Sequence, residues 1–129
     1  MEEIKIRKAT IDDVRAIQEL NNDLFKLEKE NYDTTLISDW PISDEGKDYF
    51  SDLINNHYVI VAEDNNMVVK NEYRGKGIGK SLINYFKEYC KSNNVYNMQV
   101  IASYKNRDAI EFYRKNGFEE FDITLTAKI

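Results

Sequence analysis

The sequence predicts a mixed α/β (α+β) domain, with short strands and about four amphipathic helices in one chain. Three observations predict it. Ile4-Lys5-Ile6-Arg7 alternates, and Tyr58-Val59-Ile60-Val61-Ala62 is almost wholly apolar; both read as strands. Between them stand two segments with apolar residues at helical spacing. At mid-chain, Met67-Val68-Val69 runs into the glycine-rich Tyr73-Arg74-Gly75-Lys76-Gly77-Ile78-Gly79, and Ile78, Leu82, Ile83, Phe86, Tyr89 and Cys90 then recur at helical spacing.

Taken in order, Thr10 followed by Asp13 forms a capping-box pattern, with Asp in the Glu/Gln place. It opens a helix whose apolar face is Val14, Ile17, Leu20 and Leu24. Residues 28–42, including Trp40-Pro41, show no clear period and read as a loop. Ser43 is the N-cap of a second helix, with Asp44 and Glu45 complementing its dipole and Tyr49, Phe50, Leu53 and Ile54 as its stripe. His57 falls at the junction with the strand 58–62, a boundary position rather than a catalytic one. Asp64-Asn65-Asn66 supplies turn chemistry. Ser92-Asn93-Asn94 ends the third helix, and 98–102 is expected as a strand. Asn106 opens a fourth helix that Asn116-Gly117 closes, with Gly117 suited to a left-handed conformation and Phe118 able to pack back. Residues 121–129 alternate like an edge or hairpin strand.

With 129 residues, 42% hydrophobic and 32% charged, the chain is expected to form one domain over residues 1–129. A net charge of −5 and a pI near 5.0 argue against non-specific nucleic-acid binding and favour cationic substrates such as amines. Cys90 is the single cysteine and lies on an apolar helix face, as expected of a reduced thiol in a cytoplasmic protein. No signal peptide or membrane-length apolar run is present, so no membrane partner is expected. His57 and Cys90 are the only soft ligands, which argues against a metal site.

Gly75, Gly77 and Gly79 remove Cβ atoms where the chain turns, so another molecule can approach the main chain. The helix that follows offers unpaired N–H groups and the positive end of its dipole, and Arg74, Lys76 and Lys80 add charge. This is a phosphate or pyrophosphate cradle. The dinucleotide pattern G-x-G-x-x-G fails, because the glycines stand one residue too close. The nucleotide P-loop ends correctly at Gly79-Lys80-Ser81, but its first glycine would fall at Arg74. The pattern R-x-x-G-x-G fits, filled by Arg74, Gly77 and Gly79.

That segment resembles the coenzyme-A pyrophosphate loop of the GNAT superfamily of N-acetyltransferases. Asn106-x-x-Ala109-x-x-Phe112-Tyr113-x-x-x-Gly117-Phe118 is similar to a second signature of the family, in the right order and distance. The resemblance implies a central mixed, mostly antiparallel sheet flanked by about four helices. It implies acetyl-CoA (coenzyme A) as co-substrate and a primary amine of a small molecule or protein as acceptor, attacking directly in a ternary complex. Homodimers are common in the family, and the terminal strand offers an edge for one.

Site roles follow from the same resemblance. Arg74, Gly75, Lys76, Gly77, Ile78, Gly79 and Lys80 hold the pyrophosphate. Met67 and Val69 present main-chain groups to pantetheine, and the Val69 N–H meets the developing oxyanion. Asn106 addresses the pantetheine or pyrophosphate region. Tyr113 protonates the leaving thiolate; a phenol carries its proton at neutral pH. Read by residue type alone, Tyr113 is equally a core aromatic. Tyr32, Asp33, Asp39 and Trp40 lie where the family places acceptor-binding residues, although Trp40 is equally a packing residue. Glu63 and Glu72 are the carboxylates nearest the strand ends, with an ordered water as an equal alternative base.

In one place the chain departs from the family. Only residues 63–73 separate Ala62 from Arg74, whereas two strands and their turns need roughly 15 residues. One meander strand is expected to be missing, either deleted or absent from the sequence; neighbouring ladders that would stand unpaired favour the second. A true deletion would favour the alternative of a non-catalytic acyl-CoA-binding or regulatory domain.

Overall fold

Residues 4–64, 67–68 and 77–129 are described by the structure, a computed structural model of the chain. Contacts divide it into two units, Met1–Met98 and Gln99–Ile129. In the first, β1 (Lys5–Lys8), β2 (Ile60–Asp64) and β3 (Met67–Val68) form an antiparallel sheet in that order. Lys5 stands opposite Glu63, Lys8 opposite Ile60, and Val68 opposite Glu63. β2 begins later than the apolar run 58–62 suggested, because β1 supplies a partner only from Ile60 onward. Val59 accepts the Ala9 N–H at 2.8 Å just beyond that ladder.

Thr10 opens the first helical segment, as predicted. Asp13 Oδ2 accepts the Thr10 N–H at 2.8 Å, the return half of a capping box. The Asp13 N–H goes to the Thr10 carbonyl at 2.9 Å. A 3-10 turn, Ile11–Asp13, leads into α1 (Val14–Asn31). The helix continues through 28–31, where the sequence suggested a loop. Glu28, Lys29 and Glu30 are good helix formers but polar, so they prolong the helix without extending its apolar period. Ile17 is buried as expected, but Leu24 is 42% exposed. Gln18 and Asn22 are buried instead, because the turn before α2 needs hydrogen-bond donors. Gln18 Nε2 donates to the Pro41 carbonyl at 3.0 Å, and Asn22 Nδ2 to Asp39 at 3.4 Å.

A second 3-10 turn, Trp40–Ile42, precedes α2 (Asp44–Asn56). Ser43 Oγ accepts the Gly46 N–H at 3.1 Å, the predicted N-cap. Position 46 must be glycine, because a Cβ there would stand 2.4 Å from the Trp40 and Pro41 carbonyl oxygens. Ala9, Ile17, Phe50, Ile54 and Val61 gather as the core, with Val68 of β3 packed against it. α3 (Ile78–Ser92) is held through aromatic contacts, the Tyr58 and Tyr89 rings lying parallel with centroids 3.6 Å apart. Cys90 is buried and free, and Asn94 closes the helix in a left-handed conformation.

The second unit holds α4 (Arg107–Lys115). Asn106 Oδ1 accepts the Ala109 N–H at 3.1 Å. Gly117 takes φ +91°, its N–H reaching the Arg114 carbonyl at 3.2 Å while the Phe118 N–H reaches the Tyr113 carbonyl at 3.0 Å. That is the predicted helix stop in its Schellman form, and the Phe118 ring packs on Tyr113. The strands expected over 98–102 and 121–129 are not formed among the described residues, and Ile101, Phe121, Ile123 and Leu125 are exposed. Alternation permits a strand, but only a ladder partner makes one. Among the described residues no helix is long and apolar enough to cross a membrane.

Candidate functional site

The glycine turn meets α3 at Gly77, which serves as its N-cap with φ +76°, a region L side chains rarely adopt. A Cβ built there would meet no atom of the described residues within 4 Å. The backbone turn therefore demands glycine. The Ser81 N–H and Oγ both donate to the Gly77 carbonyl at 3.1 Å, closing the first turn. Among the described residues no side chain caps α3, and no acid stands in its first turn. By contrast, α2 has the Ser43 cap with Asp44 and Glu45, and α4 has the Asn106 cap with Asp108. Those two helices answer their own positive ends, whereas α3 presents its positive end beside Lys80, as an anion site does. Ile78 is half-buried; Gly79 and Lys80 are exposed. Val69, Glu72, Arg74, Gly75 and Lys76 lie outside the described residues.

Met67 and Val68 pair with Asp64 and Glu63, so β3 is the direct hairpin partner of β2. The strand read as feeding the glycine turn is thus the second strand of this hairpin, and residues 69–76 connect it to Gly77. Val68 also lines a shallow cleft with Ala16, Glu19, Leu20 and Asp23 of α1. Sequence reasoning missed this cleft; its one signal was the spacing of Glu19 and Asp23, a helical turn apart beside Leu20. Glu63 is held in an ion pair, its Oε2 accepting from Arg7 Nε at 2.7 Å. The same guanidinium grips both Asp13 oxygens, at 2.7 and 2.9 Å, and holds that carboxyl below its usual range.

Tyr113 is half-buried between two rings, edge-to-face with Phe112 at 5.3 Å and with Phe118 at 5.5 Å. The side-chain oxygen of Asn106 is engaged as the cap of α4. The residues expected near an acceptor build the α1–α2 connection. Tyr32 ends α1, and Asp33 Oδ1 accepts the Thr35 N–H at 3.0 Å. Asp39 takes φ +63°. Trp40 packs against Phe25, Tyr49 and Phe50 with centroids 5.5–6.3 Å away, the packing role its residue type allowed.

Residues 42–120, more than half of the chain, match the family model of the acetyltransferase (GNAT) domain. The chain belongs to the GNAT acetyltransferase family. An uncharacterized N-acetyltransferase of Methanocaldococcus jannaschii is 40% identical over 63 residues, 49% of this GNAT chain. The match spans 28% of that relative, so the chain covers well under half of the relative's length. Among solved structures, the tetramutant of the BH1408 protein from Bacillus halodurans is similar with a TM-score of 0.85 at 17% identity, covering 97% of this chain and 99% of that one. The PaiA N-acetyltransferase from Thermoplasma acidophilum, in complex with coenzyme A, is similar with a TM-score of 0.73 at 19% identity, covering 95% and 93%. These structural likenesses show the fold.

Proposed function

We propose that this GNAT chain moves an acetyl group from acetyl-CoA to a primary amine, of a small molecule or of a protein, by direct attack in a ternary complex. The observation that carries this reading is the start of α3. Among the described residues, left-handed Gly77 has no atom where its Cβ would stand, and α3 has no internal cap or acid but has Lys80 alongside. The PaiA enzyme, of similar fold, is known with coenzyme A bound. Bound acetyl-CoA supplies an activated thioester. Arg74, Gly75, Lys76, Gly77, Ile78, Gly79 and Lys80 hold its pyrophosphate, and the main chain of Met67 and Val69 pairs with pantetheine. The Val69 N–H donates to the oxygen on which negative charge builds. Asn106 addresses the coenzyme through its amide nitrogen, since its oxygen caps α4. Tyr113 gives its proton to the departing thiolate, and the proton lost by the attacking amine leaves through an ordered water. The net charge of −5 and the carboxylates of Glu19 and Asp23 beside Val68 suit a cationic acceptor. The chain works as one domain in the cytoplasm, without a metal.

A second reading, a non-catalytic acyl-CoA-binding domain, is favoured by one observation: β3 already pairs with β2, leaving only residues 69–76 before α3. Thiol release from acetyl-CoA across an amine panel, beginning with polyamines, separates the two. Release supports transfer; tight acetyl-CoA binding without release supports the second reading; no binding overturns both. Arg74→Ala is expected to weaken acetyl-CoA binding by roughly 1–3 kcal/mol, the worth of charge-assisted hydrogen bonds. Unchanged affinity in a calorimetric titration would remove Arg74 from the cradle.

A further inference from the structure

We propose that Asp64 is where the proton lost by the attacking amine ends, delivered through the ordered water; this rests on the acetyl-transfer reading. Successive side chains of a strand point to opposite faces, so β2 sorts its residues into two sets. Val59 and Val61 belong to the core built with Ile17, Phe50 and Ile54, and Glu63 on the same face reaches Arg7. Tyr58, Ile60, Ala62 and Asp64 take the other face. There the Tyr58 ring lies against Phe86 and Tyr89 of α3. Asp64 therefore stands on the side of the sheet that carries α3, the helix whose start is the candidate cofactor site. Across the hairpin it is paired with Met67, and residues directly opposite hold their Cβ atoms about 5 Å apart on one face. Met67 is the residue that offers its main chain to pantetheine in the proposed complex.

An orphan atom singles out Asp64. Its Oδ1 is buried and finds no hydrogen-bond partner among the described residues. A buried oxygen without a partner costs stability, and more so when it belongs to a carboxylate. An ordered water bonded to Oδ1 satisfies that atom and gives the proton its route. Neighbouring carboxylates are already engaged. Glu63 accepts from Arg7 at 2.7 Å, the same guanidinium holds Asp13, and Glu19 accepts from Arg15 Nε at 3.0 Å. In the step itself the amine nitrogen bonds to the thioester carbon and the carbon–sulfur bond breaks. The proton on nitrogen passes to the water, and the water gives one of its own to Asp64, while the thiolate takes the Tyr113 proton. Return of a proton from Asp64 to Tyr113 through solvent restores both groups, so a turnover yields only acetylated amine and coenzyme A.

The test is thiol release from acetyl-CoA by the full chain and two variants, read beside acetyl-CoA titration and melting. Asp64→Asn keeps the shape and removes the proton acceptor. At saturating acetyl-CoA and amine it should lower release about a hundredfold and leave acetyl-CoA affinity unchanged. It should melt no lower than the unmodified chain, because an uncharged amide is buried at less cost. Asp64→Ala should be as slow, and added formate should restore part of its rate, a response that a merely structural role does not give. Undiminished release in Asp64→Asn overturns the proposal and leaves acetyl transfer standing. Slow release with a lowered melting temperature or weakened coenzyme binding, and no response to formate, also overturns it, Asp64 then being part of the scaffold. An unmodified chain that binds acetyl-CoA and releases no thiol with any amine overturns this proposal and the transfer reading together.

Discussion

Arg7 joins three elements through one side chain. Its Nε donates to Glu63 of β2 at 2.7 Å and its two terminal nitrogens to Asp13 at 2.7 and 2.9 Å, tying β1 to β2 and to the turn that leads into α1. The carboxylates are mostly shielded, with 9% and 13% of their side chains exposed, so solvent screens this network less than a surface pair. Arg7 lowers the Asp13 pKa, mainly by hydrogen bonding. A depressed carboxyl pKa contributes stability above the unfolded value, near 4, and loses it as pH falls through the folded value. Asp13→Asn should therefore cost about 1–3 kcal/mol at neutral pH and flatten the fall in melting temperature on acidification below about pH 4. Thermal denaturation across a pH series checks both. Gly77 behaves differently. Its φ is +76° and a Cβ added there would meet no atom of the described residues, so Gly77→Ala should cost about 1 kcal/mol of stability through backbone strain. On the proposed function it should also weaken acetyl-CoA binding, by crowding the coenzyme with an added methyl group; denaturant unfolding and titration separate the two effects.

Helix ends carry the contrast between scaffold and site. α2 and α4 are closed by their own residues, Ser43 at one start and Asn106 at the other. Among the described residues, α3 begins at a glycine with neither cap nor acid. In α4 the Tyr113 backbone and ring already serve the helix end, through the Phe118 N–H and the Phe118 ring. Tyr113→Phe keeps both and removes only the hydroxyl. Stability should then stay within about 0.5 kcal/mol and acetyl-CoA affinity should hold, while thiol release slows. Undiminished turnover would assign the proton to water or to another group.

Over the whole molecule, a ligand that binds only the folded chain stabilises it. Acetyl-CoA at 100 times its dissociation constant should add about 2.7 kcal/mol, a melting shift of several degrees, whereas ATP with magnesium should add none. The helix starts and the stop of α4 were legible as strings of residues. Thr10, Ser43, Asn106 and Gly117 each act within a turn, and the structure finds them as caps and stops. Leu24 and the strand expected over 121–129 misled, because periodicity reports a capacity for burial and not the partner that supplies it. The cleft beside Val68 was illegible, since its lining joins α1 to a strand far along the chain. The sequence by itself determined where helices begin and where α4 stops, because caps and glycines act over a few residues. Only the tertiary structure decided that Met67–Val68 closes a hairpin on β2 and that Glu63 answers Arg7, 56 positions away, because ladders and buried ion pairs form between segments that no local pattern connects.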